Sequence, residues 1–223
     1  MVRKFRGKKK TNAKKGLIRR YRKRPMPLVR SIGQAFPDIL KIKLRYNTRI
    51  GITSTIGGMN THNFRLNSVY DPDSTYSGHQ PLGVDNMFAL YDRVLVTGVK
   101  YTVRAISDST PMEFVVYPYP AGITAPANIE TAKEYKNSQA RLLTTSETKY
   151  VKGFQSMKKL RGLTSFGTSD SDYCHTDSAN PTEFAYLKMS AATVDGASTS
   201  TLRAIVTLDY YCTFFERKKL TQN

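Results

Sequence analysis

Residues 201–215 read TLRAIVTLDYYCTFF, and this stretch decides the predicted fold. Apolar residues occupy every second position, and a period of two is typical of a half-buried β-strand. The residues on the predicted buried face are Leu202, Ala204, Val206, Leu208, Tyr210, Cys212 and Phe214. The alternation is unbroken, so this stretch is predicted to form the last and longest strand of a β-rich domain.

A second alternating stretch lies at residues 39–56, ILKIKLRYNTRIGITSTI. Ile42, Leu44 and Tyr46 fall on one face, and three basic residues fall on the other. Six further strands are predicted at 61–70, 94–106, 113–119, 139–144, 147–157 and 183–192. The intervening sequence predicts a short helix over 85–93 begun by Asp85, a helical turn near 129–135, and a turn or sheet edge at 158–162.

The connections between these strands indicate the fold class. Long loops follow the second, fourth and sixth strands, at 71–84, 120–137 and 162–181. Hairpin-built barrels have short loops, so alternate long connections favour a double-sheet arrangement. We predict an all-β, eight-stranded jelly-roll sandwich preceded by a disordered or extended basic N-terminal arm. Its first and last strands, taken as the two longest, should pair. An immunoglobulin-like sandwich is the alternative.

Charge is concentrated at the start of the chain. Residues 1–30 contain fourteen of the 35 Lys and Arg residues and no Asp or Glu, which leaves 21 basic against 17 acidic residues, or +4, elsewhere. Such a segment cannot bury apolar surface, and Pro25 and Pro27 mark its end. We therefore predict two regions, a basic nucleic-acid-binding and nuclear-localisation arm at 1–30 and a jelly-roll domain at 31–223.

A polyanion is the natural partner of this arm, because each cation that neutralises a phosphate releases a counterion. The residues predicted to bind nucleic acid there are Arg3, Lys4, Arg6, Lys8, Lys9, Lys10, Lys14, Lys15, Arg19, Arg20, Arg22, Lys23 and Arg24. The KKK and RRYRKR clusters also fit a nuclear localisation signal. A solvated solubility tail is the alternative. No apolar run approaches the roughly 18 residues of a membrane span, so no membrane insertion is expected.

A basic stripe is predicted on one face of the sheet. Lys41, Lys43 and Arg45 share that face of the first strand and are predicted to bind nucleic acid. Lys100, Arg104 and Arg203 on two other strands are expected to extend the stripe. The alternative is an ordinary solvated sheet exterior, which is often rich in lysine.

The sequence contains no recognisable catalytic or metal-binding motif. The three histidines, His62, His79 and His175, are scattered, and HExxH, GxSxG, P-loop and paired CxxC motifs do not occur. We expect no enzymatic activity, no cofactor and no metal site. Asp71 and Asp73 could hold Ca²⁺ or Mg²⁺, but such residues more often cap turns. Cys174 is placed in a polar loop and Cys212 in an apolar run. The two could pair, although a reducing compartment is the simpler interpretation.

Two segments resemble one family of viral proteins. FRLNSVYDPD at 64–73 and GHQPLGVDNMFALYDRVLVTGVKYTV at 78–103 are similar to capsid proteins of circular, Rep-encoding single-stranded DNA viruses, the circovirus-like or CRESS-DNA viruses. The resemblance covers about forty central residues, the arm and the final tyrosine-rich strand.

This resemblance implies a T=1 icosahedral shell of sixty identical subunits. The arm and a basic inner face would package a single-stranded DNA genome, and the long loops would form the outer surface. It also implies location in the virion and, during assembly, in the host nucleus, with host nuclear import receptors and a host attachment receptor as partners. It implies no enzymatic activity.

Three other functions fit parts of the sequence. A coat protein of a single-stranded RNA satellite-type virus would have a similar arm and fold. A cellular basic nucleic-acid-binding protein, such as a ribosomal protein, usually spreads its charge over the globular part as well, whereas here that part is only +4. A jelly-roll lectin would have no use for the arm.

Overall fold

The computed structural model describes residues 36–219, within which nine strands and three short helices form. The strands are β1 (Leu40–Thr53), β2 (Asn60–Arg65), β3 (Tyr91–Ser107), β4 (Met112–Pro120), β5 (Gln139–Leu143), β6 (Lys149–Ser156), β7 (Cys174–His175), β8 (Ala185–Thr193) and β9 (Thr201–Arg217). The helices are α1 (Val84–Phe88), α2 (Ile129–Glu134) and α3 (Met157–Arg161). The predicted arm and its thirteen site residues lie outside the described residues.

The strands form two antiparallel sheets packed face to face. One sheet has the order β1-β9-β3-β6, with the two-residue β7 also paired to β3, and the other has the order β2-β8-β4-β5. The eight long strands therefore have jelly-roll connectivity, which confirms the predicted fold class. The order differs from that of an immunoglobulin-like sandwich.

The first and last long strands pair as predicted, but their lengths do not follow the prediction. β1 and β9 pair from Leu40 and Phe214 to Thr53 and Thr201. The prediction that these are the two longest strands is wrong, because β3 has 17 residues, as many as β9 and more than the 14 of β1. β3 starts at Tyr91, earlier than predicted, because its first residues also pair with the end of β9.

The core lies between the two sheets, and β9 runs through its centre. All seven residues predicted on the buried face of β9 are at most 4 % exposed, which confirms the register. The hydroxyl of Tyr210 donates a hydrogen bond to the backbone oxygen of Arg65 at 2.7 Å, so this polar group is satisfied inside the core.

Three local predictions need correction. α1 starts at Val84 after Gly83, whose φ of 84° lies in the left-handed region, so Asp85 is not its N-cap. The segment predicted as a turn or edge at 158–162 is α3, a helix because Met157 packs into the core. β2 ends at Arg65 rather than at residue 70, since the chain then turns into a loop. Among residues 36–219, no helix is long and apolar enough to cross a membrane.

Both cysteines are free thiols buried in different clusters. Cys212 lies in the main core, whereas Cys174 packs with Leu95 and Phe215 in a small separate cluster. The placement of Cys174 in a polar loop is therefore wrong, and the two thiols do not pair. Burial raises the pKa of the Cys174 thiol to about 11.

The two ends of the sandwich are built differently. One end carries all four short connections, β1–β2, β3–β4, β5–β6 and β8–β9. The strand residues next to these connections pair with one another across each sheet, so the connections lie side by side. Serine side chains tie this end together. The hydroxyl of Ser200 accepts hydrogen bonds from Ser109 and from the backbone N–H of Thr110, while Ser54 and Ser200 are joined through their backbones at 2.9 Å. The long loops lie at the opposite end.

Candidate nucleic-acid interface

The outward surface of the β1-β9-β3-β6 sheet is strongly basic, and we call it the basic face. Its exposed cations are Lys41, Lys43, Arg45, Arg49, Lys100, Arg104, Lys152 and Arg203. Asp209 is the only carboxylate within the contributing segments 41–53, 98–106, 150–155 and 203–213. Positive charge therefore dominates this surface of the folded domain.

The structure brings the predicted stripe together on this face. Lys41, Lys43 and Arg45 alternate with inward-facing residues of β1, as expected for a period of two. Because β9 lies between β1 and β3, Arg45 is opposite Asp209, which is in turn opposite Lys100. Adjacent strands are about 5 Å apart, so the predicted cations form one two-dimensional array.

Arg45 differs from the two lysines because it is held in an ion pair. Its Nε lies 2.6 Å from Oδ1 of Asp209 and its Nη2 lies 3.1 Å from Oδ2, a bidentate contact. The hydrogen bond from Arg45 lowers the pKa of the Asp209 carboxyl and keeps it charged. Lys43 Nζ is 4.0 Å from the same carboxylate. Of the three predicted residues, Lys41 and Lys43 are the ones available to an external anion.

Three arginines surround Ile205 near one end of the face. Arg49, Arg104 and Arg203 line a shallow depression of about 510 Å³. Arg203 is paired with exposed Asp108 at 2.9 Å, and the guanidinium of Arg104 lies 5.8 Å from the centre of the Tyr150 ring. Planar guanidinium groups suit phosphate, so the depression has the size and charge to accept part of a sugar–phosphate chain.

The sequence-based site lacks several residues that the structure adds. Arg49, Lys152 and the exposed aromatic residues Tyr150, Phe154 and Tyr211 all lie on the basic face. The signal for those in β6 was present, because KYVKGFQ at 149–155 places Tyr150, Lys152 and Phe154 on one side of a strand. Only the sheet order shows that this side continues the stripe.

The histidines and the loop aspartates have structural contacts. His62 Nε2 lies 2.9 Å from Asp73 Oδ1, and both side chains are buried. Burial alone would raise the pKa of Asp73, but hydrogen bonds from His62 and from the backbone N–H of Tyr76 outweigh burial and lower the pKa. Asp71 contacts Arg65 at 2.5 Å. Within residues 36–219, no group of three or more His, Cys, Asp or Glu could hold a metal ion.

The loop that carries His79 also packs against the protein. His79 stacks on Tyr46 with ring centres 4.6 Å apart. A Cβ added at neighbouring Gly78 would lie 2.8 Å from Tyr46 Oη and 3.0 Å from Asp73 Cβ, so this loop packs closely beside the His62–Asp73 pair. Sequence spacing could not show this convergence, because it depends on how the loop folds back over β1 and β2.

The chain is similar to known proteins in structure but not in sequence. No family model matches the chain. No curated protein matches it in sequence. The structure of Cocksfoot mottle virus matches with a TM-score of 0.50 at 10 % identity, covering 81 % of this chain and 97 % of that one. Desmodium yellow mottle tymovirus matches with a TM-score of 0.41 at 12 % identity, covering 82 % and 93 %. The chain thus shares its fold with the Cocksfoot mottle virus structure.

Proposed function

We propose that this chain is a viral coat protein that assembles into a small icosahedral shell of sixty copies and packages single-stranded DNA. One observation carries the proposal: a jelly-roll sheet exposes eight cations, of which only Arg45 and Arg203 are paired with carboxylates at 2.9 Å or less, in a chain whose first thirty residues hold fourteen more cations. The fold shared with a virus structure supports the assembly part of the proposal. The motifs at 64–73 and 78–103 support the circovirus-like assignment and hence DNA.

Electrostatics then couples assembly to the packaged strand. With a net charge of +18 per chain, sixty copies carry roughly a thousand positive charges, which would repel one another strongly in an empty shell. A nucleic acid with on the order of a thousand phosphates would neutralise them and release counterions. Assembly of the full-length protein should therefore require nucleic acid and weaken steeply as salt increases.

The remaining roles follow from the same residues. The thirteen arm residues, with Lys41 and Lys43, contact phosphates, and Arg45 contributes less because Asp209 holds it. The KKK and RRYRKR clusters recruit host nuclear import receptors, so the protein passes through the host nucleus before residing in the virion. The long loops face outward and contact the host attachment receptor.

The test compares four forms of the protein. They are the full-length chain, a chain lacking residues 1–30, the variant K41Q/K43Q, and the control K136Q/K158Q, which removes the same charge from exposed positions outside the basic face. Negative-stain electron microscopy shows whether particles form, and DNase or RNase digestion identifies the contents. We expect uniform shells whose DNA is lost without the arm and reduced in K41Q/K43Q, while the control packages normally.

Other outcomes select the alternatives. RNase-sensitive contents would replace the DNA assignment with the satellite-type RNA coat protein. Particles that form equally well empty and filled at low salt would show that assembly is not coupled to nucleic acid. If neither the full-length nor the truncated protein formed particles at any salt concentration, a cellular nucleic-acid-binding protein would become the better proposal.

A further inference from the structure

Two large aromatic side chains stand out from the basic face. Phe154 of β6 is 60 % exposed and Tyr211 of β9 is 40 % exposed. Their rings contact each other edge to face, with centroids 5.7 Å apart and an interplanar angle of 77°. Two exposed aromatic rings in contact present flat apolar surface within a charged face, and unpaired bases stack on such rings.

A glycine makes this contact possible. Phe154 and Tyr211 belong to strands on opposite sides of β3, so their rings can meet only by reaching over that strand. Gly98 lies beneath the rings at an irregularity in the pairing of β3 with β9. A Cβ at Gly98 would come within 2.7 Å of the Phe154 ring. The absence of a side chain at Gly98 thus leaves the space that the ring occupies.

Lysines surround the aromatic pair. Lys43 is the register partner of Tyr211, and Lys100 is the register partner of Phe154. Lys152 is exposed two residues before Phe154 on the same side of β6. The nearest carboxylate on the face, Asp209, is already held by Arg45. An occupant with a flat apolar part and flanking negative charges would complement this arrangement.

We propose that Phe154 and Tyr211 form a stacking site for one unpaired base of a single-stranded nucleic acid, with Lys43 and Lys100 contacting the flanking phosphates. The proposal rests on the proposed function and adds a preference for single-stranded over double-stranded nucleic acid. Bases in a duplex are already stacked and cannot reach the rings, so the site selects single strands. Every base has a π-face, so the site tolerates any base sequence.

The chain has no tryptophan, which provides a direct test. The variant F154W carries one indole at the proposed site. The matched control L142W carries one at a 57 % exposed position on β5 in the other sheet. The probes, added to the full-length variants, are a short oligothymidylate, its duplex with oligoadenylate, and an abasic strand of the same length. Anisotropy of labelled strands measures binding, and tryptophan fluorescence measures stacking.

We expect oligothymidylate to quench F154W strongly and L142W little. The abasic strand should bind but leave F154W unquenched, and the duplex should quench it far less. Strands that bind without selective quenching of F154W would overturn the stacking site while leaving the coat-protein proposal intact. Strands that do not bind at all would instead overturn the proposed function. A spectral shift of F154W on assembly without nucleic acid would show that a second copy of the chain covers the site.

Affinity gives an independent readout that does not depend on tryptophan. F154A should weaken binding of oligothymidylate about tenfold, since one base loses its stacking partner. The slope of log K against log salt should stay unchanged, because no phosphate contact is lost. K100Q should instead reduce that slope by about 0.7. Equal slopes and affinities in the parent, F154A and K100Q would contradict the proposal.

Discussion

Arg45 and Asp209 form a bidentate ion pair across β1 and β9, with the shorter of the two contacts at 2.6 Å. Asp209 is only 7 % exposed, whereas Lys41 and Lys43 are exposed and only Lys43, with Nζ at 4.0 Å, approaches the same carboxylate. The acidic residue therefore decides which cations of the basic face are available to phosphate. Removing the Asp209 carboxylate would therefore give phosphate one more available cation without adding a basic residue.

Asp209→Asn should strengthen nucleic-acid binding. The substitution removes the carboxylate that holds Arg45, so the guanidinium becomes free to contact a phosphate. The slope of log K against log salt for a single strand should steepen by about 0.7, as expected for one added phosphate contact. Fluorescence anisotropy over a salt series measures this slope.

The control for net charge is Asp177→Asn, which removes a carboxylate from an exposed loop position. It should leave the slope almost unchanged. If both variants steepened the slope equally, overall charge rather than release of Arg45 would account for the effect.

His175 should make folding sensitive to mild acid. Burial lowers its pKa to about 4, and its Nε2 accepts a hydrogen bond from the backbone N–H of Val69. In the unfolded chain the His175 imidazole has its ordinary pKa of about 6.5. Between pH 6.5 and 4 it therefore binds a proton in the unfolded chain but not in the folded one. The free energy of unfolding should therefore fall by about 3 kcal/mol as pH falls from 6.5 to 4. Above pH 6.5 the protein should keep its full stability, because the imidazole is then neutral in both states.

Urea unfolding across this pH range measures the effect on the soluble subunit. His79→Gln replaces an exposed histidine and is the control for the loss of an imidazole. His175→Gln, whose amide oxygen can still accept from Val69, should flatten the pH profile. A parent protein whose stability did not change between pH 6.5 and 4 would show that His175 is not held neutral.

Tyr210→Phe should cost about 1 kcal/mol of stability, because it removes a buried hydrogen bond to the backbone oxygen of Arg65. Tyr211→Phe alters the next residue, whose side chain lies on the outward face, and should cost little. Tyr210→Asp places a carboxylate in the core and should abolish soluble protein. Thermal unfolding compares the two phenylalanine variants. A soluble, assembled Tyr210→Asp protein would contradict the register of β9.

Gly153→Ala should destabilise the domain by about 1–3 kcal/mol, the usual cost of overpacking. An added Cβ would overlap the hydroxyl and ring of Tyr101, which is 2 % exposed and cannot move outward. Gly167→Ala is the matched control, because an added Cβ there has nothing within 4 Å. Urea unfolding measures both. Equal stability of the two variants would mean that Tyr101 can move aside.

Alternation in the sequence was sufficient to predict the eight long strands and the buried face of β9, because residues two apart in a strand point to the same side. It did not predict the two-residue β7 or the correct ends of β2 and β3. It could not predict α3, where contact of Met157 with the core decides the conformation of a five-residue segment. It also missed the burial of Cys174, which depends on the distant residues Leu95 and Phe215.

On the basic face, too, the sequence predicted the orientation of residues within a strand but not the contacts between strands. The sequence placed Lys41, Lys43 and Arg45 on one side of β1, but the pairing of Arg45 with Asp209 depends on the register between strands 164 residues apart in the chain. Likewise, Phe154 and Tyr211 share a patch only because β3 separates their strands and carries Gly98 at the crossing point.

The serine-linked end of the sandwich and the long-loop end should evolve at different rates. At the serine-linked end, one added residue would shift Ser200 away from Ser54 and Ser109 and disturb pairing in both sheets. At the opposite end, exposed loop positions can lengthen or change sequence without altering the register of any strand, whereas β7 and the buried residues of α1 and α3 are constrained by pairing and packing. Inserted residues should therefore be tolerated best in the exposed segment 122–125 between β4 and β5, and sequence differences among related chains should concentrate at such exposed positions.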